Sequence, residues 1–76
     1  MMSMTEIYVA LLDEGTSVWR PVKAIALPGD LYKIGPAKPP GDEVWEFGPG
    51  ATVRCEKRDF SEGPALVAIE LVSPAI

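Results

Sequence analysis

The side chains that carry acid–base or nucleophilic chemistry are sparse in this chain, whose 76 residues include no histidine and one cysteine, Cys55. Histidine is the usual general acid or base near neutral pH and a frequent transition-metal ligand, so its absence excludes histidine-assisted triads and most such metal sites. One cysteine forms no disulfide within the chain, and no Cys/His cluster is present to hold a structural zinc. We therefore predict a protein that is not an enzyme and has no cofactor.

Cys55 is the single candidate nucleophile. It lies between Arg54 and Glu56, and Lys57 follows. Cationic neighbours lower the pKa of an exposed thiol, which would make Cys55 a reactive group and the protein a thiol sensor. The residue also lies in the inward phase of a predicted strand, and free cysteines are among the most buried residue types. We expect an inert, buried thiol and keep the sensor as an alternative.

Carboxylates are the other candidates for a chemical site. Asp13 is adjacent to Glu14, Asp42 is adjacent to Glu43, and Glu46 follows nearby. These pairs do not have the D-x-D-x-D-G spacing of a calcium loop, and the chain has no glycine-rich phosphate loop. We expect a solvated acidic surface, and attraction of a basic partner is the alternative.

Trp19 and Tyr32 are the candidate binding residues, because aromatic side chains offer a large contact area at a small cost in conformational entropy. A groove lined by both would take an extended peptide. The alternative is that both pack in the interior, since aromatic side chains are highly buried on average. Trp45 and Phe47 share one face of a predicted strand and are expected in the core.

A proline-rich loop supplies a second candidate. Pro36 and Pro39 have the minimal P-x-x-P spacing within residues 35–42, a segment that favours polyproline II geometry. Such a segment docks on aromatic grooves of partner proteins. The alternative is a rigid connector between strands.

These candidates lie on or between predicted strands. The strands are short runs rich in β-branched and aromatic residues, and Gly, Pro and Asp separate them. The runs are too short and too often interrupted to form helices. The predicted strands cover residues 6–12, 18–27, 31–34, 43–47, 52–57 and 65–71.

Alternation along the strands predicts which side chains face inward. The first strand is apolar on both faces, so we expect it to be covered on both sides or to lie at an interface. Pro21 cannot donate to a ladder and is expected at a sheet edge, a bulge or a bend. Residues 58–64 are expected to form a polar loop around Phe60. The side chains expected to face inward beyond the first strand are Val22, Ala24, Ala26, Tyr32, Ile34, Val53, Cys55, Val67, Ile69 and Leu71.

The sequences WRPVKA at residues 19–24 and LYKI at 31–34 resemble the Tudor-type branch of the SH3-like barrels, in which a tryptophan, a small inward residue and a tyrosine mark a hairpin. WEFGPGATV at residues 45–53 is similar to the aromatic, glycine-turn and valine strand that close many small barrels. We predict an all-β fold, a small SH3-like barrel of five to six short, bent antiparallel strands. It forms one domain over residues 1–76, with loose ends at about 1–5 and 73–76.

The resemblance covers roughly residues 18–55 and implies a fold more than a function. Tudor-type domains that bind methylated side chains do so with an aromatic cage. The loop at residues 35–42, which would complete such a cage, contains no aromatic residue. We therefore do not expect this chain to bind methyl-lysine or methyl-arginine.

The net charge of −4 opposes binding to nucleic acid, whose phosphates are neutralised by clustered Lys and Arg. The apolar run at residues 7–12 follows Glu6 and is far shorter than the roughly 20 residues that span a bilayer. We expect no signal peptide and no membrane partner. A free thiol without a secretion signal indicates the cytoplasm.

These observations favour a non-catalytic interaction module that docks a protein or peptide through an aromatic groove or a strand edge. A small regulatory or inhibitory protein that caps a larger enzyme is an alternative. A homodimer is a further expectation, because a barrel of this size cannot cover both faces of its apolar first and last strands.

Overall fold

The computed structural model describes residues 4–12, 18–36 and 43–74. This part of the chain contains strands and turns and no helix, so the predicted all-β class is confirmed. These residues therefore include no helix that is long and apolar enough to cross a bilayer. The strands are β1 (Met4–Leu12), β2 (Trp19–Leu27), β3 (Leu31–Ile34), β4 (Val44–Trp45), β5 (Thr52–Phe60) and β6 (Gly63–Ser73).

Five strands close into a ring in the order β1, β2, β3, β5 and β6, and β4 is added to β1 outside this ring. Neighbours in the ring are antiparallel except β1 and β6, which are parallel and pair at Tyr8 and Val67. The single parallel pair differs from the antiparallel prediction. The number of strands explains it. A closed ring with an odd number of strands cannot alternate in direction throughout, so one neighbouring pair must be parallel.

The core lies inside the ring and consists of small and medium-sized aliphatic side chains. Ile7, Val9 and Val53 have no exposed surface, and Ile34 is almost fully buried. Tyr32, Trp45, Phe47 and Leu66 pack against this cluster and remain partly exposed. The remaining buried members of the cluster are Val22, Ala24, Ala51, Cys55 and Ala68. The inward predictions for β2, β3 and β5 are confirmed except at Ala26, which is exposed near the end of β2.

The inward prediction for β6 is wrong. Val67 is buried as expected but pairs with the exposed Glu56 and lies on the outer face, whereas Ala68 lies opposite Cys55 and faces the core. Ile69 and Leu71 are 41% and 47% exposed, whereas Ala68 is 2% exposed. The register between β5 and β6 shifts twice, once between Arg54 and Cys55 and once between Thr52 and Val53. Each shift adds one residue to β6, Ile69 at the first and Val72 at the second, and neither has a partner opposite it on β5. Leu71 pairs with Val53 near the end of this ladder and is exposed there.

The hairpin between β5 and β6 is longer than predicted. Residues 58–64, expected as a loop, form the last rungs of this ladder, in which Phe60 pairs with Gly63 across a two-residue turn. β1 begins at Met4 and β6 continues to Ser73, so the strands extend into the predicted loose ends. β4 contains two residues, fewer than the predicted strand at residues 43–47.

Pro21 lies in β2 in regular register with Tyr8, without a bulge. Leu11 donates its N–H to the carbonyl of Val18, which identifies the odd-numbered residues of β1 as the hydrogen-bonded ones in this ladder. Tyr8 and Pro21 therefore form a non-hydrogen-bonded pair, and the Pro21 nitrogen points away from β1. β3 pairs with β2 only from Ala24 onward, so Pro21 removes no hydrogen bond from the sheet.

Candidate functional site

Three aromatic rings from three strands form a cluster outside the core. Phe60, at the end of β5, contacts Tyr8 of β1 with ring centroids 5.7 Å apart and the planes tilted by 36°. It also contacts Trp19 at the start of β2, with centroids 6.3 Å apart and planes at 67°. Both separations lie within the range of favourable aromatic pairs. Tyr8, Trp19 and Phe60 are hereafter the aromatic cluster.

The strand period places this cluster on the opposite face of the sheet from the core. Ile7 and Val9 point into the ring, so Tyr8 between them points outward. Trp19 lies opposite Ala10, two residues from Tyr8, and shares this outer face. Val67, the partner of Tyr8, is fully buried and lies outside the core cluster. The outer face therefore has a buried side chain of its own next to the aromatic cluster.

An open groove of about 460 Å³ runs beside the aromatic cluster. Tyr8 contributes one wall, and Glu6 and Lys57 place opposite charges on its rim. The remaining lining comes from the first residues of β6, namely Pro64, Ala65 and Leu66. A surface with an aromatic wall, an apolar floor and a charge of each sign has the composition of a site for an extended peptide. We call it the Tyr8 groove.

The two aromatic residues predicted to share a groove are not brought together. Tyr32 pairs with Ala26, seven residues along β2 from Trp19, which is up to about 23 Å at 3.3 Å per residue. Tyr32 also packs against the core, whereas Trp19 belongs to the outer face. Of the two, Trp19 lies beside a candidate binding surface formed by several strands, and Tyr32 is a packing residue.

Pro36 is exposed and lines a second groove of about 430 Å³. The other lining residues are Lys33, Pro49, Gly50, Thr52, Ser73 and Pro74. This groove has three prolines and no aromatic wall. Pro39 lies outside the described residues, and so does most of the P-x-x-P segment.

Glu43 ties β4 to β2 at one end of the ring. Its carboxylate accepts a hydrogen bond from Arg20 Nε at 3.0 Å and a second from Arg20 Nη2. Trp45 Nε1 donates to the same carboxylate at 3.1 Å. The bonds from Arg20, and then that from Trp45, hold the pKa of Glu43 below its ordinary value. This member of the predicted acidic surface is therefore internally paired, while Glu46 is exposed and Asp13, Glu14 and Asp42 lie outside the described residues.

Cys55 is 7% exposed and belongs to the core cluster, as predicted. Burial raises the pKa of its thiol to about 11. At neutral pH a group with that pKa is ionised to about one part in ten thousand. Burial and a raised pKa both oppose nucleophilic chemistry. Within the described ranges, no group of three acidic or cysteine side chains converges as metal ligands would.

Two residues of the aromatic cluster, Tyr8 and Phe60, were not among the predicted binding residues, and neither was any residue that lines the Tyr8 groove. Tyr8 belongs to the first strand, which the sequence predicts to be apolar on both faces, and Phe60 to the polar loop predicted at residues 58–64. The available signal was the isolation of Phe60, a large apolar side chain among charged and small residues. Burial of such a side chain is favourable, and in this fold its partners come from β1 and β2.

No protein-family model matches the chain, and neither a curated protein nor a solved structure shows significant similarity to it.

Proposed function

We propose that this protein is a non-catalytic interaction module that binds an extended segment of a partner protein in the Tyr8 groove. The observation that carries the proposal is the position of the aromatic cluster. Three rings from β1, β2 and β5 pack against one another on the outer face and remain partly exposed beside an open groove. The core is built without them, from the aliphatic cluster inside the ring.

The lining of the groove specifies the chemistry of its ligand. Tyr8, Pro64 and Leu66 offer apolar contact to a proline or an aliphatic side chain, and polyproline II segments dock on surfaces of this kind. Glu6 and Lys57 lie on different strands and would each attract a residue of opposite charge. We expect a ligand of an apolar or proline-containing core with a basic residue towards Glu6 and an acidic residue towards Lys57.

A displayed library of random peptides, selected on the immobilised protein, tests this function. Enriched sequences are then synthesised and titrated by calorimetry against the wild type and Lys57→Glu. Lys57 is exposed, so this variant is expected to fold normally. We expect enriched peptides to share the apolar core, and we expect Lys57→Glu to weaken their binding several-fold because a rim charge is reversed.

Lys33→Glu is the matched control, because Lys33 is an exposed strand lysine that lines the second groove and not the first. It should bind the selected peptides as the wild type does. If Lys33→Glu loses binding and Lys57→Glu keeps it, the site is the second groove. If no peptide is enriched, the interaction-module proposal fails.

The finer fold resemblance and the compartment belong to the same proposal. A closed ring of five strands supports an SH3-like barrel, and the hairpin of β2 and β3 carries the tryptophan and tyrosine of the Tudor-type pattern. The burial of the free Cys55 is in keeping with a cytoplasmic protein.

A further inference from the structure

β6 has a partner strand on both sides for only part of its length. β1 pairs with three strands, namely β2, β6 and β4, but a strand has two edges. β2 occupies one edge from Met4 to Ala10, so β6 and β4 share the other. β6 uses this edge at Tyr8, and β4 takes it at Leu11 and Leu12.

The second half of β6 is therefore an edge strand. Residues 68–73 pair with β5 on one side, and their other side has no partner strand among the residues the structure describes. Ile69, Leu71 and Val72 in this segment are 41%, 47% and 46% exposed. Leu12 and Val44, which pair with each other where β4 displaces β6 from β1, are 44% and 43% exposed. Half-exposed aliphatic side chains along an open strand mark a pairing surface.

The charge of this edge indicates which partner it suits. Glu70 is the only charged residue of β6, and its carboxylate is 3.4 Å from Arg54 Nε on β5. The edge is thus close to neutral in a chain whose net charge is −4. β6 also has no lysine, and its only proline, Pro64, lies outside residues 68–73. Of the features that commonly block strand pairing, this segment carries, besides Glu70, only the two bulges, at Ile69 and Val72. A nearly neutral, largely aliphatic edge matches another nearly neutral, aliphatic strand.

We propose that the occupant is β6 of a second copy of this chain, paired antiparallel to form a homodimer. A two-fold axis makes such an interface self-complementary, because each copy presents the same strand to the other. With the axis at Leu71, Leu71 lies opposite itself, Glu70 lies opposite Val72, and Ile69 lies opposite Ser73. This register keeps the two Glu70 carboxylates from facing one another directly, and each stays next to its own Arg54. The dimer is independent of peptide binding at the Tyr8 groove.

Sedimentation equilibrium over a wide concentration range tests the dimer, with wild type compared with Leu71→Lys and Met4→Lys. Both positions are exposed aliphatic strand residues, 47% and 51% exposed, so both variants should fold. Met4 lies at the opposite end of β1 from Leu12 and is the control. We expect wild type and Met4→Lys to dimerise with the same affinity. Leu71→Lys should remain monomeric at concentrations at least tenfold higher, because two lysines would meet at the axis.

Amide hydrogen exchange at dilute and concentrated protein identifies the interface. We expect the backbone of residues 68–73 to gain protection at high concentration. A wild type that is monomeric at every concentration overturns the proposal. A dimer whose protection increases elsewhere, for instance around Tyr8, overturns the assignment to β6.

Discussion

The ring of Phe60 contacts the ring of Trp19 edge to face, with centroids 6.3 Å apart. The two residues are far apart in the sequence, one at the start of β2 and the other at the end of β5. Their contact fastens the tip of the long β5–β6 hairpin to the outer face of the ring. Tyr8, on the other side of Phe60, extends this contact to β1. The ring of Tyr8, which forms one wall of the Tyr8 groove, is therefore held by packing against Phe60.

A double-mutant cycle on this contact should reveal coupling. Trp19→Ala and Phe60→Ala are each expected to lower the free energy of unfolding, and together they should cost less than the sum by about 0.5–1.5 kcal/mol. The same cycle with Trp19→Ala and Tyr32→Ala should be additive, since Tyr32 packs at the other end of β2. Urea denaturation of the six proteins measures both. Additivity in the first cycle would show that the contact between the Trp19 and Phe60 rings contributes nothing to the free energy of unfolding.

Acidification should destabilise the protein partly through Glu43. Its pKa is lowered in the folded state from an ordinary value of 4.5, so its contribution to stability is present above about pH 4.5 and is lost as the pH falls through the folded pKa. Glu43→Gln lacks this contribution. We expect urea midpoints of the wild type to fall more steeply below pH 4.5 than those of Glu43→Gln, and Arg20→Gln to behave like the latter. Parallel pH profiles would contradict this role.

Gly29 and Gly48 both have room for a methyl group, so alanine substitutions at these positions measure the effect of backbone conformation on stability without crowding. Gly29, in the turn between β2 and β3, has φ of +78°, and a Cβ added there would contact nothing within 4 Å. Gly29→Ala should therefore destabilise by about 1 kcal/mol through its backbone conformation alone. Gly48 has equal space and no positive φ, so Gly48→Ala should be neutral or stabilise by about 0.4–1 kcal/mol. Thermal denaturation compares the stability of the two variants. Equal losses of stability would contradict the role of the positive φ at Gly29.

The two halves of β6 should respond differently to truncation. Val67 is fully buried, so Val67→Ala removes two buried carbons and should cost about 2 kcal/mol. Ile69→Ala removes more carbon but should cost less than about 1 kcal/mol, because Ile69 is an added residue in the register shift and is 41% exposed. Equilibrium unfolding measures both. A larger loss at Ile69 would restore the unbroken alternation predicted from sequence.

The strands that could be predicted from sequence are those whose alternation is uninterrupted and whose ends are marked by turn residues. Leu31 to Ile34 was predicted to the residue because Pro28, Gly29 and Asp30 mark its start and Gly35 follows it. The burial of Val53 and Cys55 was predicted for the same reason. In each case the signal is local, since the period of a strand and the conformational preferences of Gly and Pro act over a few residues.

The rest was decided by contacts between residues distant in the chain. The bulges at Ile69 and Val72 depend on how β6 pairs with β5, and no residue type within β6 requires them. The aromatic cluster exists because ring closure brings β1 beside β2 and the hairpin tip over both, which makes Trp19 a neighbour of Phe60 and separates it from Tyr32. The sequence by itself determined the all-β class, the inward faces of β2, β3 and β5 and the shortage of catalytic groups. The candidate binding surface required the tertiary structure, because side chains from different strands become neighbours only when the ring closes.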